Sequence, residues 1–94
     1  MTRIARRLFV EGRVQGVCFR DWAVDTAREM GIEGWIRNRR DGRVEALAAG
    51  EAEAVEAFIA RCKEGPSAAR VTGMRVEEVS PEEAGPGFER RGSV

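Results

Sequence analysis

Gly12-Arg13-Val14-Gln15-Gly16-Val17-Cys18-Phe19-Arg20 marks the point where the chain changes its hydrophobic period. Before it, Ile4, Leu8 and Val10 fall on alternate positions, which predicts a half-buried strand over Ile4 to Glu11, with Arg6 interrupting the apolar face. After it, Ala23, Ala27 and Met30 recur at helical spacing, with Phe19 leading in, Asp21 suited to the start and Gly31 placed as a stop. A strand therefore runs into a helix through a glycine-containing turn. Such a junction favours anions, because a helix N-terminus presents unpaired N–H groups and the positive end of its dipole. Gly16 permits tight curvature there, and Arg20 adds a fixed planar charge.

Working outward, Ile32 to Arg39 reads as a second strand, and Asp41-Gly42 is a hairpin signal into a third over Arg43 to Ala49. Val55, Phe58, Ile59 and Cys62 form an i, i+3, i+4, i+7 stripe, predicting a second helix with Glu51 and Glu53 near its start and Gly65-Pro66 at its end. Val71 to Val79 is a fourth strand whose apolar residues alternate imperfectly, the pattern of a bulge or twist. Ser80 to Gly87 reads as an acidic surface loop, and Phe88 to Arg91 as a short edge strand.

The order βαββαβ specifies an α+β class: the ferredoxin-like split βαβ plan, an antiparallel sheet with two helices on one face, here as one domain over residues 1–94. In that plan the third strand lies between the first two. At roughly 4.8 Å per strand, about 10 Å separates the loop after strand one from the end of strand two, room for a phosphoryl group and a water. Asn38 is thereby expected to face residues 15 to 20.

Composition removes many rival chemistries. Hydrophobic residues at 43% and charged residues at 34% describe a soluble globular chain, and no apolar run nears the roughly 20 residues of a membrane span. A signal-peptide pattern is missing at the N-terminus, so a cytoplasmic location is expected. Sixteen basic against sixteen acidic residues leave no net charge, which argues against nucleic acid or an anionic membrane as partner and makes any anion site local. The absence of histidine, with only Cys18 and Cys62 far apart in sequence, removes most zinc sites, His-dependent triads and Cys–His dyads; no metal or cofactor is expected. Lys63 is the only lysine, which disfavours Schiff-base chemistry.

Single residues in the first loop have ordinary readings too. Arg20 reads as an exposed side chain at a helix start, except that a cation there is electrostatically misplaced unless an anion accompanies it. Asn38 taken alone reads as a hairpin residue steadying the turn toward Asp41-Gly42. Opposite Arg20, its amide is able to donate to one atom and accept from another, and so to hold a water. Cys18 lies where a thiol is activated, but Val17 and Phe19 beside it suggest a packed position. Trp22 and Trp35 are read as packing residues, and Asp21, Asp25 and Glu29 as a solvated helix face. The loop has neither a Walker Gly-Lys-Ser/Thr nor a G-x-G-x-x-G spacing, which disfavours nucleotides.

Gly12 to Arg20, together with Gly34-Trp35-Ile36-Arg37-Asn38 and Asp41-Gly42-Arg43-Val44, resembles the acylphosphatase family over nearly the whole chain. Ile36 stands where valine is more usual, a mild change. The resemblance implies a metal-independent acylphosphatase acting on a small-molecule acyl phosphate. By it, Gln15, Gly16, Val17, Cys18, Phe19 and Arg20 form the phosphate loop, Arg20 is the catalytic phosphate-binding arginine, and Asn38 positions the attacking water. The fit weakens at the end: family members often carry an apolar residue two beyond the last aromatic, whereas Phe88 is followed by Glu89-Arg90-Arg91, predicting a short final strand. Two alternatives stand beside it. One is a non-catalytic phosphate- or RNA-binding module on the same fold. The other is the carbamoyl-phosphate-handling domain at the front of hydrogenase-maturation carbamoyltransferases, against which a chain of 94 residues without zinc-finger cysteines favours a free enzyme, expected as a monomer.

Overall fold

A computed structural model describes residues 2–94. The elements follow as β1 (Arg3–Arg13), α1 (Phe19–Glu29), β2 (Glu33–Asn38), β3 (Val44–Glu51), α2 (Ala52–Glu64), β4 (Arg70–Val79) and β5 (Phe88–Arg90). One sheet holds all the strands in the order β4-β1-β3-β2-β5, so β3 does separate β1 from β2. The acidic loop adds one element not read from sequence, a 3-10 turn over Pro81–Glu83 with the Ser80 hydroxyl accepting from the Glu82 N–H.

The expected all-antiparallel sheet is corrected at one edge: β5 pairs with β2 in parallel, Gly34 opposite Phe88 and Ile36 opposite Arg90, whereas the other pairs are antiparallel. Chain direction explains it. β4 runs opposite to β1 and β2, so its end lies where β2 begins, and residues 80–87 cross beneath the sheet and deliver β5 running the same way as β2. The carbonyl of Gly87 accepts from the Gly34 N–H at 2.8 Å and starts that ladder.

β1 extends past Glu11 because β4 continues to pair with it beyond a register shift. Glu11 faces Gly73 but Gly12 faces Val71, leaving Thr72 as an extra residue on β4. This bulge accounts for the imperfect alternation: Val71 and Met74 both pack on the helix side, while Val79 joins a cluster on the opposite face.

The main core lies between sheet and helices. Leu8, Val10, Ile36, Val44 and Ala46 from the strands meet Ala23 and Ala27 of α1 and Val55, Phe58 and Cys62 of α2, all nearly inaccessible. The stripe on α2 thus packs as its spacing predicts. Across the sheet a smaller cluster of Ala5, Leu47 and Ala49 surrounds Trp35, whose ring lies beneath the guanidinium groups of Arg37 and Arg91 at 4.6 and 5.0 Å.

Candidate functional site: a cleft at the start of the first helix

Residues 14–18 carry the chain from β1 to α1 through two left-handed turns of backbone, Gly16 at φ 72° and Cys18 at φ 62°. Cys18 is the only non-glycine residue with positive φ among the described residues, a conformation costing of order 1–3 kcal/mol that persists only where the surroundings enforce it. It is also the N-cap of α1, and it supplies no side-chain hydrogen bond to the helix. Among the described residues, no backbone N–H from Gln15 through Asp21 donates to a protein acceptor; pairing begins with the Trp22 N–H on the Cys18 carbonyl at 3.1 Å. A bent row of unpaired N–H groups at a helix start is a nest for an anion.

Packing fixes the row from both sides. The Phe19 ring is 2% exposed and meets Trp22 edge-on at 5.4 Å, so Phe19 offers the cleft only its backbone. Gly65, at φ 68° where α2 ends, lets the ring in: a Cβ there would stand 2.9 Å from Phe19 Cε2. On the other side, Gln15 Nε2 donates to the carbonyls of Arg39 and Arg43 at 2.7 and 2.9 Å, pinning the loop to the β2–β3 hairpin. That hairpin is itself closed by Asp41, which accepts from the Arg43 N–H and guanidinium at 2.8–3.0 Å. The Arg43 hydrogen bonds hold the Asp41 carboxyl down at about 2.

A cleft of about 270 Å³ opens over the loop, lined by Val14, Gly16, Cys18, Phe19, Arg20, Asp21, Asn38 and Arg90. Topology therefore brings Arg20 and Asn38 together as expected. Gln15 and Val17 do not line it: the Gln15 side chain is a tether, and Val17 is buried in the core. Asn38 does not steady the hairpin either. Its Oδ1 is buried and accepts no hydrogen bond from the described residues, a group that costs about 1–3 kcal/mol when left unpaired.

One reading of a single residue changes. Cys18 is exposed, not packed, because the left-handed turn swings its side chain outward. Asp21 lies on the solvated helix face as read, and its carboxylate also accepts from Arg90 Nη1 at 2.9 Å. Arg90 itself was missed as a site residue, since only the parallel placement of β5 beside β2 carries it to the cleft. No three His, Cys, Asp or Glu side chains gather in a metal-binding group among the described residues, and no helix is long and apolar enough to cross a membrane.

The acylphosphatase family model matches residues 6–90. The chain belongs to the acylphosphatase family. An acylphosphatase of Rhizorhabdus wittichii is 52% identical over 92 residues, covering 98% of this chain and 92% of the relative, and one of Acidiphilium cryptum is 51% identical over 88 residues, covering 94% and 96%. The crystal structure of the Bacillus subtilis acylphosphatase superposes with a TM-score of 0.89 at 38% identity, covering 94% of this chain and 98% of that one. Full-length HypF in its phosphate- and nucleotide-bound form contains a similar unit, with a TM-score of 0.88 and 32% identity over 98% of this chain but only 12% of its own. The fold and the acylphosphatase class of this enzyme rest on these likenesses together with the ferredoxin-like architecture described above.

Proposed function

We propose that the cleft hydrolyses the carboxyl–phosphate bond of small acyl phosphates without a metal ion or cofactor. The observation that carries this reading is the row of unpaired N–H groups at the start of α1, beside a small cleft that Gly16, Cys18, Phe19, Arg20 and Asn38 line. The backbone from Gln15 to Arg20 and the Arg20 fork hold the equatorial phosphoryl oxygens through charge-assisted hydrogen bonds. Asn38 orients a water in line behind phosphorus. As the water oxygen bonds to phosphorus, the bond to the acyl oxygen breaks and a carboxylate leaves with its electron pair. The water proton passes to a phosphoryl oxygen. A carboxylate is a good leaving group, so positioning and charge stabilisation are the demands left to the protein, and a site without histidine meets them.

The same reading places the enzyme in the cytoplasm as a single chain acting without nucleic acid. Two cysteines left unpaired suit a reducing compartment, and zero net charge offers no general attraction to polyanions. Phosphate release from acetyl phosphate and carbamoyl phosphate in excess EDTA, with p-nitrophenyl phosphate untouched, is the expected outcome. Phosphate binding without turnover would indicate a non-catalytic module, and activity lost to the chelator would overturn the metal-free chemistry.

A further inference from the structure

Arg90 is the second arginine of the cleft. In β5 it lies on the same sheet face as buried Phe88 and opposite Ile36, two residues short of Asn38 on β2, so its side chain rises along the helix-facing side toward the start of α1. There it meets Asp21, the residue after Arg20, through a single contact from Nη1 at 2.9 Å. Both side chains are substantially exposed, Arg90 at 49% and Asp21 at 67%, so water competes for the pair and holds it weakly. A guanidinium carries five donors in a planar fork; Asp21 takes one, and the Arg90 side chain lines the cleft with no other protein acceptor for its donors among the described residues.

The charges of the cleft are then Arg20, Asp21 and Arg90. Arg20 adjoins the unpaired N–H groups of the loop, which together make a site for one phosphoryl group. Arg90 lines the same cleft from a different element, β5, and adds a second cation beside that phosphoryl site. A neutral acyl group has no use for a cation there; an anionic one does.

We propose that Arg90 is a specificity-determining residue that recognises a second anionic group, a carboxylate or a phosphate, on the acyl part of the substrate. The proposal rests on the acylphosphatase reading of the same cleft. Asp21 holds the Arg90 side chain over the opening in the free enzyme and yields to the incoming anion, which accepts from the same fork. The enzyme thereby favours acyl phosphates with charged acyl groups over those with neutral ones.

The test compares kcat/KM for benzoyl phosphate, 4-carboxybenzoyl phosphate and 4-phosphonooxybenzoyl phosphate in the parent, Arg90→Gln, Asp21→Asn and the double variant. Each charged substrate is expressed as a ratio to benzoyl phosphate, so that loss of folded protein cancels. In Arg90→Gln the ratio falls about tenfold, mainly through KM, for the anion that Arg90 binds, and the two charged substrates separate a carboxylate site from a phosphate site. The double variant keeps a ratio well below that of Asp21→Asn alone, because the lost contact is with substrate. If Arg90→Gln leaves both ratios unchanged, or if the double variant matches Asp21→Asn, Arg90 acts only by neutralising Asp21 and the proposal is overturned. Failure of the parent to hydrolyse benzoyl phosphate at all would instead overturn the acylphosphatase reading.

Discussion

Cys18 and Cys62 show how one residue type is divided between site and core. Cys18 sits exposed on the strained turn that begins α1, whereas Cys62 is 1% exposed in the α2 stripe, and burial pushes its thiol up to about 12. A thiol reagent is therefore expected to modify one cysteine rapidly in the native protein and the second only after denaturation. Cys18→Ser retains turnover if the proposed attack by water is right, since no covalent step uses the sulfur; a loss of about 10²-fold or more would point to nucleophilic catalysis instead. That Arg20 and Asn38 line one cleft was legible, because the strand order places the end of β2 across from the start of α1. The outward turn of Cys18 was not, because φ 62° at a non-glycine residue leaves no mark in the sequence.

At the scale of elements, the site depends on how the loop is anchored. Gln15 reaches across to two hairpin carbonyls, and the Phe19 ring enters the space that Gly65 leaves open. Neither link was readable from spacing, since each joins residues far apart in sequence through contacts that only the packed fold creates. Gln15→Ala is expected to lower kcat about tenfold or more through misplacement of the N–H row, while costing about 1 kcal/mol in stability for its hydrogen bonds. Activity measurements beside denaturant melts check both figures, and a parental kcat would show that the loop holds its shape without the tether. The helices and β1 were visible in their periodicity, and β3 in the Asp41-Gly42 hairpin signal that precedes it. The parallel edge strand was not, because three residues, Phe88–Arg90, carry too little pattern to give a direction.

For the molecule as a whole, the sheet face away from the helices has its own ionic organisation. Glu45 is 2% exposed on β3 and is met by Arg37 Nε at 2.9 Å, Arg39 Nη1 at 2.7 Å and Arg7 Nε at 3.4 Å. Burial alone would raise its pKa, but the hydrogen bonds from Arg37 and Arg39 outweigh it and the carboxyl ends below its usual value. A carboxyl with a depressed folded pKa stabilises the protein fully above its unfolded pKa and loses that contribution as pH falls through the folded value. Glu45→Gln should therefore be less stable than the parent by about 1–3 kcal/mol at neutral pH, with the gap closing below about pH 4.5. Chemical denaturation across that range checks it, and an equal gap at pH 7 and pH 3 would contradict the assignment. The sequence places this glutamate in a strand between the apolar Val44 and Ala46. Its burial follows only from the three arginines that the sheet register gathers around it.

The central claim is a division of labour in the cleft, with Arg20 gripping phosphate and Asn38 directing water. Steady-state hydrolysis of acetyl phosphate in EDTA, with inorganic phosphate as competitive inhibitor, separates the two roles. Asn38→Ala is predicted to lose about 10²-fold in kcat while its inhibition constant for phosphate stays within about threefold of the parent. Arg20→Lys is predicted to weaken phosphate binding by about tenfold or more, because an ammonium does not reproduce the planar fork. Parental kcat in Asn38→Ala, or parental phosphate affinity in Arg20→Lys, would contradict the account.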